Sequence, residues 1–217
     1  MFQVIILTMI PSLSENEFHS LLPLVSQEKQ DRIKRFHFFQ DAQNALLGDI
    51  LARLEICRFT GLHNRALKFS VNEYGKPFLT SLPSIHYNIS HTGHYVACAI
   101  ADEPVGIDIE CIKPIDLKIA ERFFAPDETA YIVDKMSLYR FFEVWTKKES
   151  RIKWEGKGLS KPLPSFSVLD SVELGRIHYD KVFQTDDVIC HVCSSIKGKP
   201  SVRMMDTIAL MRNMKSI

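Results

Sequence analysis

The stretch Gly106-Ile107-Asp108-Ile109-Glu110 sets two carboxylates two residues apart. On a strand, side chains alternate faces, so Val105, Ile107 and Ile109 turn toward a core while Asp108 and Glu110 share the other face. From the ~3.3 Å rise per residue, their Cα atoms stand roughly 6.7 Å apart. Two such carboxylates repel, and they need a cation or a shared proton. Oxygen-only ligation suits Mg2+, which keeps waters and favours substrate phosphates over an all-protein cage. Gly106 leaves room beside the pair. Taken alone, the same pattern also fits an amphipathic edge strand with a solvated face.

A second set lies in FFEVWTKKESRIKWEGKGLS, residues 141–160. Leu138, Phe142, Trp145 and Ile152 make an apolar stripe at helical spacing, and Glu149 falls on it. A carboxylate facing inward needs a partner. Lys153 lies one turn later on the same face. Alone, Glu149 and Lys153 also read as a surface ion pair. Beside Asp108 and Glu110 they add weight to a phosphate-and-metal site.

Basic residues Lys29, Arg32 and Arg35 lie three apart in EKQDRIKRF, on one helix face; alone they read as a solvated face. The segment Asn88-Ile89-Ser90-His91-Thr92-Gly93-His94 invites a hydrolase reading through its Ser-His pair. It lacks the G-x-S-x-G elbow, and adjacent residues at a strand end point apart. Ser90 and His91 are better suited to hydrogen-bonding a phosphate. Cys190-His191-Val192-Cys193 has C-x-x-C spacing without a second cysteine pair, so structural cysteines are expected rather than a zinc site. Gly156-Lys157-Gly158-Leu159-Ser160 lacks the spacing of a phosphate loop and follows a helix, not a strand.

The elements that must position these groups alternate along the chain. Residues 2–10 read as a strand, and 14–24, 26–39 and 41–59 as helices. Ala42, Leu46, Ile50, Leu54 and Cys57 form the buried stripe of the third, with Gly61 as its stop. A short strand from Phe69 leads into the turn Tyr74-Gly75-Lys76-Pro77. The runs IHYNIS, HYVACAIA and VGIDIE read as three turn-linked strands. Helices are expected at about 117–124, 126–135 and 137–154. SFSVLDS, RIHYDKVF and VICHVCSS read as closing strands. Helices between runs of short strands indicate α+β. The chain divides near Glu103-Pro104, into residues 1–103 and 104–217, each half holding helices followed by a small antiparallel sheet.

Composition bounds the function. The chain has 217 residues, 46% of them hydrophobic, as a globular core requires. Lys plus Arg is 27 against 26 Asp plus Glu, a net charge of +1 that argues against a broad nucleic-acid surface. No stretch approaches the ~20 apolar residues of a membrane span. The start has neither a basic region nor a signal-cleavage pattern, and reads as a strand. Five cysteines, mostly isolated in apolar surroundings, suit reduced thiols and a cytoplasmic location.

In this order and spacing, EKQDRIKRF, DAQNALLGD, EYGKP, NISHTG, GIDIE, WTKKES-x-IK and GKGLS resemble the Sfp-type 4'-phosphopantetheinyl transferases, over about residues 26–168. The resemblance implies a pseudo-duplicated fold of two similar α+β halves, with the active site in the cleft between them, acting as a monomer. It implies transfer of 4'-phosphopantetheine from coenzyme A to a serine hydroxyl of an acyl or peptidyl carrier protein, with adenosine 3',5'-bisphosphate as the other product and Mg2+ as cofactor. Asp108, Glu110 and Glu149 match the family's magnesium ligands, and Lys153 its lysine at the attacked phosphate. Lys29, Arg32, Lys76, Ser90 and His91 match coenzyme A-binding positions, Lys29 and Arg32 those near the 3'-phosphate. Ala45 departs from the pattern, where relatives carry a threonine hydroxyl. Glu149, directly or through water, is the expected base. An acidic carrier is expected to dock near Cys111 to Phe124. Rival readings are a noncatalytic carrier-binding module on the same fold and a phosphohydrolase. The last ~45 residues match no motif.

Overall fold

The computed structural model describes residues 1–169 and 177–214. Strand β1 (Phe2–Thr8) is followed by α1 (Glu15–Leu21), α2 (Gln27–Ile33) and the long α3 (Phe39–Thr60). A hairpin, β2 (Phe69–Val71) and β3 (Pro77–Leu79), leads to β4 (His86–Thr92), β5 (Tyr95–Ala101) and β6 (Val105–Cys111). Helices α4 (Ile119–Phe123), α5 (Pro126–Val133) and α6 (Leu138–Glu155) come next. The described chain closes with β7 (His178–Gln184), β8 (Val188–Ser194), β9 (Ser201–Asp206) and α7 (Thr207–Asn213).

Local chemistry accounts for most boundaries. Ser14 caps α1 in a reciprocal box with Glu17. Ser26 caps α2 through the Lys29 N–H. Helices α3 and α6 end at Gly61 (φ 72°) and Gly156 (φ 69°), left-handed positions that glycine takes without strain.

Two sheets result. The first has the order β4-β5-β1-β9, antiparallel except for the parallel β1–β9 pair; the second is β6-β8-β7, all antiparallel. They face each other. Val4 and Ile6 of β1 and Ala97 and Ala99 of β5 meet Ile107, Ile109, Val188, Cys190 and Val192 in one buried cluster. On the outer side of the first sheet, α3 buries Leu46, Ile50 and Leu54 against Ile5, Val96 and Cys98. On the outer side of the second sheet, Phe141, Phe142, Val144 and Ile152 of α6 pack with Ile189 and with Phe124 and Ile132. The order of layers is helix, sheet, sheet, helix, an α+β arrangement, but the first sheet takes β9 from beyond residue 104 and is not wholly antiparallel as expected, because β9 fills the open edge of β1 in parallel.

Several expectations need adjustment. The helix expected over 26–39 stops at Ile33 and restarts at Phe39, so Arg35 lies outside it. The stripe expected on α3 is buried as read, yet Leu47, Leu51 and Ile56 are buried too, because α1 and the segment after it cover the side away from the sheet. The strand expected at SFSVLDS is absent over the described part, where Leu163–Ser165 forms a 3-10 turn; residues 170 and 171 lie outside the described residues. Strand β9 and helix α7 were not expected. They carry the end of the chain back to β1, with Thr8 Oγ1 donating to the Met205 carbonyl at 3.3 Å and Arg203 paired with Glu55 at 2.6 Å.

A fully buried ion pair ties α6 to its surroundings. Lys148 Nζ lies 2.6 Å from Glu128 Oε2 and donates to the Phe166 carbonyl at 2.6 Å. Glu128 also accepts the Ala125 and Val168 N–H groups, each at 2.8 Å. With its acceptor sites filled, this buried charge is compensated.

Helix α6 crosses β6 at very close range over Gly106. A Cβ built there would lie 1.9 Å from the Ser150 carbonyl oxygen and 2.3 Å from the Trp154 nitrogen, both backbone atoms of the helix. Gly106→Ala therefore has to push α6 off the strand. Overpacking of this kind costs about 1–3 kcal/mol or more, and the expected result is a clearly lowered melting temperature by calorimetry. A wild-type melting curve for this variant would contradict the close crossing.

Candidate active site

The two sheets also meet edge to edge. Strands β4 and β6, the outer strands of different sheets, run side by side and are joined through side chains. Asn88 Oδ1 accepts the Ile107 N–H at 2.8 Å. Two residues on, Ser90 Oγ donates to Asp108 Oδ1 at 3.0 Å. Two further on, Thr92 Oγ1 accepts the Cys111 N–H at 3.2 Å and faces Glu110 Oε2 at 3.5 Å.

Helix α6 lies over the polar face of β6. Lys153 Nζ donates to Asp108 Oδ1 at 2.6 Å and to Ser90 Oγ at 3.0 Å, so one ammonium, one hydroxyl and one carboxylate oxygen form a closed triangle. One turn back, Glu149 is half-buried within electrostatic reach of Asp108 and Lys153. Another turn back, Trp145 lies beside Glu110 and opposes the rise of its pKa. Positions 145, 149 and 153, four apart on a helix, thus run above positions 110 and 108, two apart on a strand.

Burial dominates the electrostatics. It raises the Asp108 carboxyl above the ordinary range, with Lys153 and Ser90 opposing it. Burial, and then the charge of Asp108, push Glu110 up to about 7. The same two causes raise Glu149. Asp108 Oδ2 is buried and has no hydrogen-bond partner among the described residues. Three carboxylates resisting ionisation around one lysine, with a buried oxygen unfilled, are a donor set that a hard cation would relieve. Among the described residues no three His, Cys, Asp or Glu side chains are grouped so as to hold a metal ion, and the expected set Asp108, Glu110 and Glu149 is not drawn together into one. That is compatible with Mg2+, which takes one or two carboxylates and completes its shell with water and phosphate oxygens.

The basic groups divide between two places. Lys29 is half-buried, 3.8 Å from Asp49, and burial lowers its pKa. Arg32, one turn on, is exposed and within electrostatic range of Lys29. His91, on the opposite face of β4 from Ser90, is held below the ordinary histidine pKa by burial and then by Lys153, with Lys29 adding to the effect. Lys29 is thus within electrostatic range of both Arg32 and His91, with Asp49 and Asp41 interspersed among these cations. Lys76 lies apart. Its ammonium donates to the Val105 and Trp154 carbonyls at 3.2 and 3.3 Å, and burial depresses it to about 8. Asn72 Nδ2 donates to the Gly156 carbonyl at 2.8 Å, so the β2–β3 turn is docked on the C-terminal end of α6. Ala45 is partly buried against the first core.

Sequence reasoning missed Trp145, Asn88 and Thr92. Trp145 reads from the sequence as apolar stripe, and only the structure brings it beside Glu110. For Asn88 and Thr92 a signal was present: polar residues at 88, 90 and 92 alternate on one strand face.

Comparison with known proteins identifies the chain's relatives. A family model described as "4'-phosphopantetheinyl transferase, N-terminal" matches residues 11–103, and one described as "4'-phosphopantetheinyl transferase superfamily" matches 104–206. The 4'-phosphopantetheinyl transferase Sfp of Bacillus subtilis is 45% identical over 172 residues, 77% of this chain and 73% of that protein. The 4'-phosphopantetheinyl transferase gsp of Aneurinibacillus migulanus is 41% identical over 169 residues, 76% of this chain and 70% of that protein. The 4'-phosphopantetheinyl transferase HetI of a Nostoc species is 29% identical over 156 residues, 68% and 66% of the two chains.

The raised Glu110 gives a pH signature. Between its ordinary pKa of 4.5 and its folded value of about 7, the folded protein holds a proton that the unfolded chain has lost. Stability attributable to this group therefore falls as pH rises through that window and levels off above it. Glu110→Gln, neutral throughout, gains on the wild type over the same window. The shift corresponds to at most about 3 kcal/mol, and water reaching the half-buried side chain reduces the expected gain to about 1–2 kcal/mol. Thermal melts with a chelator at pH 4.5 and pH 8 check this. A difference between variant and wild type that is the same at both pH values would reject it.

Proposed function

We propose that this chain, which belongs to the 4'-phosphopantetheinyl transferase family, transfers 4'-phosphopantetheine from coenzyme A to a serine hydroxyl of an acyl or peptidyl carrier protein. The observation that carries the reading is the Lys153–Asp108–Ser90 triangle with Glu110 and Glu149 beside it, where the two sheet edges meet.

The carrier serine oxygen attacks the pyrophosphate phosphorus that bears pantetheine. The P–O bond to the nucleotide phosphate breaks, and adenosine 3',5'-bisphosphate leaves. Lys153 and Ser90 already converge on one oxygen, and a phosphate oxygen fits the same donors. Lys153 then neutralises the charge that grows on the leaving phosphate oxygen. Glu149 takes the serine proton; its raised pKa brings it nearer the working pH, where a base is most effective. Mg2+, when held by Asp108, Glu110 and Glu149, offsets the negative charge of the pyrophosphate. Lys29 and Arg32 take the 3'-phosphate, with His91 alongside. Lys76 contributes to coenzyme A binding from the docked turn. We place the boundary of the halves at 103/104, with β9 crossing back. The partner is an acidic carrier docking near Cys111 to Phe124, where Lys113, Lys118 and Arg122 supply positive charge. All five cysteines are free thiols, which supports a cytoplasmic enzyme, and we assign it as a monomer.

Mass spectrometry of an apo carrier incubated with coenzyme A and Mg2+ tests the reaction. A phosphopantetheine adduct on serine is the expected product; free 4'-phosphopantetheine without an adduct would indicate hydrolysis instead. Glu149→Gln keeps the shape and one ligating oxygen but accepts no proton near neutral pH. It should retain coenzyme A binding while single-turnover rate falls roughly 10²–10⁴-fold. Full rescue of the rate by high Mg2+ would mean Glu149 is a ligand only. Truncating Lys29 and Arg32 should weaken coenzyme A more than 3'-dephospho-coenzyme A by calorimetry. Equal losses for the two ligands would reduce the pair to a solvated face.

A further inference from the structure

We infer that Asn88 and Thr92 are positioning residues for this reaction: they hold the edge of β6 against β4 through side chains and so set the spacing between Ser90, Asp108 and Glu110. The inference rests on the transferase reading and adds two residues to it.

Strand β6 pairs with β8 on one side, in the register Ile107↔Val192 and Asp108↔His191. Its other edge turns alternate N–H groups toward β4, and two of them, those of Ile107 and Cys111, meet side chains there. In a continuous sheet such groups would find carbonyls of the next strand, about 4.8 Å away. Here β4 satisfies them with side chains instead, Asn88 Oδ1 at 2.8 Å and Thr92 Oγ1 at 3.2 Å. A side chain is an adjustable spacer, and here it holds the two backbones apart while pairing these two donors.

The middle rung of this ladder is the site itself. Ser90, between Asn88 and Thr92 on the same face of β4, reaches Asp108, and Lys153 of α6 joins both. Asn88 is buried, at 6% exposure, and its acceptor sits on the residue that precedes Asp108. Thr92 stands 3.5 Å from Glu110 while accepting the N–H of the residue after it. The outer rungs therefore clamp the β6 backbone on both sides of its two carboxylates. Neither residue belongs to the Lys153–Asp108–Ser90 triangle, so each acts through the residues it holds. A misplacement of about 1 Å in such a constellation costs up to 10²-fold in rate.

The pair Thr92→Val and Thr92→Ser separates positioning from plain stability. Valine matches threonine in shape and removes the hydroxyl; serine restores it. For Thr92→Val we expect the carrier-modification rate to fall about ten- to hundredfold, with coenzyme A affinity by calorimetry within threefold of wild type. Thr92→Ser should return the rate to within about threefold. Asn88→Ala should lower both rate and melting temperature, and Asn88→Asp, which keeps an acceptor for Ile107, should recover the melting temperature at least in part. Wild-type protein is assayed alongside: no adduct with wild type would refute the transferase reading itself. An adduct with wild type and an unchanged rate for Thr92→Val would overturn the positioning role alone. The role is likewise overturned if the Thr92→Val rate and coenzyme A affinity fall together with melting temperature and return on cooling.

Discussion

Helix α6 can lie directly on β6 because position 106 has no side chain, and the site follows from that contact. The backbone of the helix comes so near the strand that even a methyl group would collide with two of its atoms. At that range, helical positions four apart fall in line with strand positions two apart, and Lys153, Glu149 and Trp145 are delivered onto Asp108 and Glu110. A larger separation would leave Lys153 short of Asp108 and let water between the carboxylates, and their pKa values would return toward ordinary ones. One glycine thus converts an amphipathic strand into a charged, partly dry cleft.

Two buried lysine–carboxylate contacts on the same helix show the difference between structure and site. Lys148 and Glu128 are wholly enclosed, and Glu128 takes two backbone N–H groups besides the ammonium. The pair is closed, and it fixes α5, α6 and the segment around Phe166 relative to one another. Five residues on, Lys153 and Asp108 make an equally short contact, yet one buried oxygen of Asp108 has no hydrogen-bond partner among the described residues and two further carboxylates stand within range. Such an arrangement is costly in the folded protein, since burial opposes each negative charge. Strain of this sort belongs where a ligand will supply the missing charge, and perturbed carboxylates grouped in a cleft are a mark of function.

Much of this was legible in the chain. The three turn-linked strands that carry Ser90, Asp108 and Glu110, and the helix that carries Glu149 and Lys153, were readable because each is short-range: alternation, a periodic stripe, and a glycine stop. The family resemblance then joined motifs that spacing alone left ambiguous. What could not be read depends on distant partners. Strand β9 has no signature of its own, and its place beside β1 is decided by an open sheet edge almost two hundred residues earlier. The break in the helix after Ile33 separates Arg35 from Lys29 and Arg32, which helical periodicity alone had kept together. Lys76 lies in a turn that was foreseen, but its two carbonyl partners belong to β6 and α6.

The joint between the halves carries the consequence furthest. Sheets that pack face to face through Ile107, Ile109, Val4 and Ile6 would hold together without any contact at their edges. The edge contact between β4 and β6 is therefore free to be polar, and it is: an amide, a hydroxyl and a second hydroxyl in alternate positions. Apolar burial supplies the association, which is non-directional. The polar edge supplies direction, because each hydrogen bond is satisfied in only one register. The proposed site needs both, since its candidate groups come from either side: Ser90 and His91 from β4, the carboxylates and Lys153 from β6 and α6. Under the proposed reading the geometry of the site is a property of the seam, and the seam is aligned by Asn88 and Thr92, which lie outside the Lys153–Asp108–Ser90 triangle.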